Sequence, residues 1–183
     1  MIAISFGSGG ILLPGWIHVD WTLDFRPDVR ADCGNPLPFA DGVADFLQSE
    51  SFLETLSMMQ AEVFIGECHR ILRPAGVMRL VTVDLRRLVE LYLRNDQLLL
   101  ELWETEVGLP LRRRTLGEVV NEGMRRCEHQ FVYDEITLRA LIEPRGFAVS
   151  RVEYNQSEHA KLRGVDQRCP DNSLSMYFEC RRV

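Results

Sequence analysis

The 183-residue sequence has no paired-cysteine motif, no excess of positive charge, no long hydrophobic run and no internal repeat or low-complexity segment. Its five cysteines, Cys33, Cys68, Cys127, Cys169 and Cys180, are odd in number and show neither CxxC nor Cys/His ligand spacing. That argues against a disulfide framework and a metal site, and it fits a reducing cytoplasm. A formal net charge of −6 argues against a general nucleic-acid binder, which needs a basic surface to displace counterions from phosphates. The run Arg112-Arg113-Arg114 is a local exception, suited to a solvated helix or loop or to greeting an acidic substrate. No stretch approaches the length of a membrane span, and no basic region precedes an apolar signal core. The expectation is a soluble cytoplasmic protein, folded as one domain over residues 1–183 around a core that 46% hydrophobic content can fill.

What is present begins at the N-terminus. Ile2-Ala3-Ile4-Ser5-Phe6 opens onto Gly7-Ser8-Gly9-Gly10, the pattern of a buried strand ending in a tight turn where main-chain N–H groups can approach a ligand without a Cβ in the way. Ile17-His18-Val19-Asp20 and Val29-Arg30-Ala31-Asp32 are two further short runs, each ending in a carboxylate. Strand, glycines, strand-Asp, strand-Asp is the order of a nucleotide-like cofactor site along the carboxyl ends of a parallel sheet. Val43 to Gln48 is a fourth strand, delivered into Ser49-Glu50-Ser51. Phe64, Cys68, Ile71 and Leu72 share one helical face between Gln60 and Leu72, with Pro74 and Gly76 as the stop. Val77 to Val83 is a strand, and Asp84 caps a helix whose stripe is Leu85, Leu88, Val89 and Tyr92. Residues 96–130 break the alternation and are expected to form a helical or irregular insertion, a lid over the site. A helix from Asp134 ends at Pro144 and Gly146, and strands Phe147 to Tyr154 and Ser175 to Cys180 close the chain.

Three blocks carry a likeness to a known family. They are Gly7-Ser8-Gly9-Gly10 followed by Leu13 to Asp20, then Asp32 with Pro36-Leu37-Pro38-Phe39 and Asp45-Phe46, then Glu67-Cys68-His69-Arg70-Ile71-Leu72-Arg73-Pro74-Ala75-Gly76-Val77. Together with His129, Tyr133-Asp134 and Gly146-Phe147, they resemble class I S-adenosylmethionine-dependent methyltransferases. The resemblance implies an α/β, Rossmann-like three-layer αβα sandwich with a seven-stranded, mostly parallel sheet and an antiparallel last strand. It also implies an enzyme using S-adenosyl-L-methionine, with a small-molecule acceptor whose methylated atom is a hydroxyl oxygen of a sugar or secondary metabolite.

On that resemblance Gly7, Ser8, Gly9 and Gly10 line the cofactor, Asp20 accepts from both ribose hydroxyls, and Asp32 with Cys33 meets the adenine amine. Ser49 and Glu50 face the methionine portion, where Glu50 attracts the cationic sulfur or the amino group. His129 is the candidate base, and Tyr133, Arg163 and Asp166 are candidate acceptor contacts, with a structural ion pair as the alternative for Arg163 and Asp166. Two departures stand out. Thirteen positions separate Gly7 from Asp20, against about 20 in the dinucleotide fold, so the first helix must shrink to a turn. Ser51-Phe52-Leu53-Glu54-Thr55 also lacks both histidines of the His-Val-Leu-Glu-His found in many relatives. Those losses keep open a catalytically silent binding or interaction subunit.

Overall fold

The computed structural model describes residues 1–167 and 174–183; Cys169 lies outside them. A seven-stranded sheet runs in the order β3-β2-β1-β4-β5-β7-β6. Its strands are β1 (Ala3–Phe6), β2 (Ile17–Asp20), β3 (Val29–Arg30), β4 (Ala44–Glu50), β5 (Leu72–Val83), β6 (Phe147–Val152) and β7 (Ser175–Arg182). The first five pair in parallel, and β7 is antiparallel to both of its neighbours. No helix among the described residues is long and apolar enough to cross a membrane.

Strand alternation gives the sheet two unlike faces. Ile4, Phe6, Leu47, Met78, Leu80 and Phe178 point to one side, into the main core. Helices α1 (Met58–Ile71) and α5 (Glu135–Ile142) cover that side with Phe64, Ile65, Cys68, Leu138 and Leu141. Both helices start at firm caps. Ser57 accepts from Gln60 N in a reciprocal capping box, and Asp134 accepts from Thr137 N. The helix read from Gln60 to Leu72 is present as α1, ending at Ile71, but it passes directly into β5, so the strand expected from Val77 starts at Leu72. Residues 73–76 are absorbed as a bulge, since Ala44 pairs with Leu72 and Phe46 already pairs with Val77. Ala75 takes a left-handed conformation there.

Among the described residues the other face carries no α-helix. The β1–β2, β2–β3 and β3–β4 connections contain only one 3-10 turn, Leu23–Phe25. The first helix is reduced to turns, as the short Gly7 to Asp20 spacing implies, and the sheet is covered instead by the 11–16 loop and by residues 153–167. This cover packs Trp16, Leu162 and Val165 onto Ala3 and Val77, with Ala160–Leu162 as its only helical turn.

Asp84 caps α2 (Leu85–Leu93) as expected, by accepting from Arg87 N. The apolar stripe is shifted, because Leu88 and Leu91 are buried while Tyr92 is exposed. Residues 96–130 form α3 (Leu98–Leu102), a π-type turn Trp103–Val107 and α4 (Leu116–Arg125). Leu99, Leu102, Trp103, Leu116 and Val119 join Leu88 and Leu91 in an apolar cluster of their own, beyond the carboxyl end of β5. Trp103 Nε1 donates to Leu109 O (2.8 Å) and closes the irregular stretch between the helices.

Candidate functional site

At the carboxyl ends of β1 and β4 lies a cavity of about 330 Å³, lined by Gly7, Ser8, Gly9, Gln48, Glu50 and Gln167 among others. A second cavity, of about 260 Å³, lies between β5 and the α2–α4 cluster. The two adjoin, since Ser51 and Glu106 line both. The second has apolar walls, including Leu88, Trp103, Val107 and Leu109, and it contains His129.

The glycines of the turn differ in purpose. Gly7 has φ +62°, and a Cβ there would come within 2.3 Å of the Phe52 ring, so both its conformation and its packing demand glycine. Gly9, with φ +54°, faces open space, the nearest atom to a Cβ being Gly7 O at 3.9 Å. Gly10 turns toward Phe25 and away from the cavity. Ser8 Oγ, on the lining of the first cavity, and Ser49 Oγ, which lines neither cavity, are buried without a hydrogen-bond partner among the described residues, an arrangement that costs free energy unless a ligand or water completes it.

Asp20 ends β2 almost fully buried. Its Oδ2 accepts from Gly9 N (3.0 Å) and its Oδ1 from Thr22 N (2.9 Å), which ties the second strand to the glycine turn and leaves further lone pairs on both oxygens. Asp32 accepts from Gly34 N (2.9 Å) and Asn35 Nδ2 (2.8 Å) in a local turn. Cys33 is buried in the main core. Burial, with the charges of Asp20 and Asp32, pushes its thiol up to about 12, so it is inert as a nucleophile. Glu50 reaches into the first cavity and accepts from Gln167 N (2.9 and 3.1 Å) and Gln48 Nε2 (3.4 Å).

His129 Nδ1 lies 2.8 Å from Gly123 O. A carbonyl only accepts, so Nδ1 carries the proton and Nε2 is the basic nitrogen of the neutral ring. Neither Tyr133, Arg163 nor Asp166 is brought to either cavity. Tyr133 is fully buried in the main core, its hydroxyl 3.7 Å from Met58 Sδ, and burial plus the charge of Glu54 pushes it up to about 12. Arg163 donates to the carbonyls of Ser157 (2.8 Å) and Glu158 (3.3 Å). Asp166 is buried against Arg79, so it does belong to an ion pair, but with a partner other than Arg163.

Ser5, Gln48, Ser51, Glu106 and Gln167 line the first cavity without having been singled out as site residues. A signal for two of them was present in the sequence. Ser5 is the polar residue of the apolar run Ala3–Phe6, Gln48 follows the apolar pair Phe46-Leu47, and Ser5 Oγ donates to Gln48 Oε1 (2.7 Å). The block from Glu67 to Val77 turns out to be a fastening. Glu67 accepts from Leu37 N (2.6 Å), and Arg70 donates to Glu67 and to the carbonyls of Leu37 and Phe39 (3.1 and 2.7 Å). The Pro36 to Phe39 turn is thereby pinned to α1.

Comparison with known proteins agrees with this architecture. The model of a methyltransferase-domain family matches residues 15–80. No curated protein matches the chain in sequence. Among solved structures, a methyltransferase from Thermotoga maritima described as a possible histamine N-methyltransferase superposes with a TM-score of 0.59 at 14% identity, over 100% of this chain and 82% of that one. A Methanosarcina mazei methyltransferase gives 0.59 at 15% identity, over 99% and 92%. A chain from the complex of a Haloferax volcanii putative methyltransferase with the Trm112 methyltransferase activator gives 0.62 at 10%, over 99% and 82%. The fold is that of the class I S-adenosylmethionine-dependent methyltransferases.

Proposed function

We propose that this chain is an S-adenosylmethionine-dependent methyltransferase acting on a hydroxyl oxygen of a small molecule. The observation that carries the reading is the pair of adjoining cavities, one polar at the glycine turn and one apolar around His129, which meet at Ser51 and Glu106. The residues present fit the cofactor. Gly9 leaves an open cradle, and one buried hydroxyl on the cavity lining, Ser8 Oγ, awaits a partner. When bound, S-adenosylmethionine supplies a methyl group already activated by the positive charge on sulfur.

The chain's own residues then bind, orient and accept the proton. Asp20 takes the ribose hydroxyls on its remaining lone pairs, and Asp32 beside Cys33 takes the adenine amine. Glu50 orients the charged methionine end. The α2–α4 cluster excludes water from the acceptor cavity and aligns the acceptor for in-line transfer. His129 Nε2 receives the acceptor's proton. Apolar walls at Leu88, Trp103, Val107 and Leu109 favour the ring system of a secondary metabolite over a sugar.

A second reading, a silent binding subunit, has one observation in its favour. The glycine turn is not followed by a helix, so the cavity lacks the helix N-terminus that commonly faces such a ligand. Calorimetry with S-adenosylhomocysteine separates the two. Stoichiometric micromolar binding, with transfer of labelled methyl to a panel of hydroxyl-bearing aromatics, is the result expected of the enzyme. Absence of binding to the folded protein overturns the reading.

A further inference from the structure

One row of side chains crosses the helix-free face of the sheet in register. Ser5 on β1 pairs with Gln48 on β4, Gln48 with Arg79 on β5, and Arg79 with Glu179 on β7. Ser5 and Gln48 line the first cavity, whereas Arg79 does not. Among the described residues Arg79 is the bulkiest fully buried side chain. It donates through Nε to Asp166 Oδ1 (2.9 Å) and through Nη2 to Asp166 Oδ2, to Glu153 O (2.8 Å) from Nη2, and to Gln156 O (3.1 Å) from Nη1. Asp166 Oδ2 also accepts from Asn155 N (2.6 Å). One guanidinium thus grips the 153–167 cover at three places. The residue after Asp166 is Gln167, whose N–H sits on the Glu50 carboxylate at the cavity wall.

We propose that Arg79 and Asp166 form a positioning pair for the cofactor cavity: they hold the 153–167 cover at a fixed height over the sheet and so place Gln167 against Glu50. The proposal rests on the cofactor reading above. A buried ion pair adds little net stability compared with apolar residues of the same size, because desolvation offsets most of the Coulomb attraction. What it supplies is geometry. A planar fork bonding a carboxylate at two points admits one separation and one orientation. This matters here because the cover has one short 3-10 turn and does not pair with the sheet as a strand, so apolar contacts alone leave it free to slide. On the opposite face, whole helices set the spacing and no such pair is needed.

The test uses the full chain and S-adenosylhomocysteine in calorimetry, with stability measured in parallel. Asp166→Asn removes the charge while keeping a carbonyl for Asn155 N. The variant Arg79→Met with Asp166→Leu, carrying Glu179→Gln because Glu179 Oε1 lies 3.6 Å from Arg79 Nη1, replaces the pair by apolar bulk and guards against a fold left with an unpaired buried charge. Leu138→Ala, in the helix-covered core, serves as a destabilised control. Both pair variants are expected to lose tenfold or more in affinity, with faster hydrogen exchange in residues 153–167, while Leu138→Ala binds within twofold of wild type. Restoring the fork acceptor one methylene away, Asp166→Glu, should recover part of the loss. Folded pair variants that bind within twofold of wild type, or that keep wild-type exchange in the cover, overturn the proposal and leave the cofactor reading intact. A wild-type protein that binds no S-adenosylhomocysteine overturns both.

Discussion

The two faces of the sheet solve the same packing problem by different means. On one, α1 and α5 lay Phe64, Ile65, Cys68, Leu138 and Leu141 onto strand residues that are fully or almost fully buried. Phe64 alone stacks edge-on against Phe6 and Phe52, each at 5.4 Å between ring centres. On the other face a polar row, Ser5, Gln48, Arg79 and Glu179, lies beneath a cover with a single helical turn. The helix-covered face provides stability, through apolar area removed from water. The loop-covered face gives up some of that area, and in exchange its directional hydrogen bonds shape a cavity.

The largest expected effects test this contrast directly. Phe64→Ala should lower stability by about 3–5 kcal/mol in urea denaturation. Replacing Arg79 and Asp166 together by Met and Leu, with Glu179→Gln so that no charge partner of Arg79 is left behind, should change it by less than about 2 kcal/mol in either direction. Equal losses would mean that the polar face contributes as much to stability as the apolar one.

Smaller effects sharpen the division of labour. Asp20→Ala should weaken S-adenosylhomocysteine binding by about 1–3 kcal/mol through lost hydrogen bonds while leaving the urea midpoint nearly unchanged. Gly9→Val should weaken binding further, since a branched side chain fills the open cradle and resists a positive φ. Normal binding in either folded variant would remove that residue from the site.

The α2–α4 cluster offers a third comparison, between a docked insertion and a closing lid. It has its own apolar core, yet it borders the second cavity through Trp103 and Gly123. If it closes over the acceptor, S-adenosylhomocysteine plus an acceptor analogue should slow hydrogen exchange across residues 96–130. Equal protection with and without ligands would identify a permanently docked insertion.

The smallest effect concerns the fastening on the helical face. Hydrogen bonds from Arg70, followed by that from Leu37 N, hold the Glu67 carboxyl below its ordinary value of 4.5. A depressed folded value stabilises above the unfolded one and is lost as pH falls through the folded one. Wild type should therefore exceed Glu67→Gln in urea midpoint at pH 6, and the gap should shrink progressively below pH about 4.5. A constant gap would show that the charge is immaterial to the fastening.

Much of the strand order was legible because burial on two sides writes itself into short apolar runs. Ile17 to Asp20 matches β2 residue for residue, Asp84 caps its helix as expected, and the helix expected from Asp134 starts there, with Asp134 as its cap. The site was legible only in part. Gly7, Ser8, Gly9 and Glu50 meet at one cavity, since these residues end strands or stand beside them, and strand ends are fixed by the sheet; His129 reaches the next from the segment after α4. Tyr133, Arg163 and Asp166 were placed by proximity in sequence to plausible loops, and loops are positioned by partners far away along the chain. Asp166 finds Arg79 across 87 residues. Gln167 reaches Glu50 across 117.

By itself, then, the sequence determined which segments are strands and helices, and that a glycine turn stands at the carboxyl ends of β1 and β2, because propensity, capping and apolar periodicity are local properties. Tertiary structure alone decided which face of the sheet would go without helices and what would cover it. It also decided that the polar residues of three neighbouring strands would line up in register. A strand's own pattern shows that Ser5, Gln48 or Arg79 is polar and inward, but only pairing between strands brings Ser5 to Gln48 and Gln48 to Arg79.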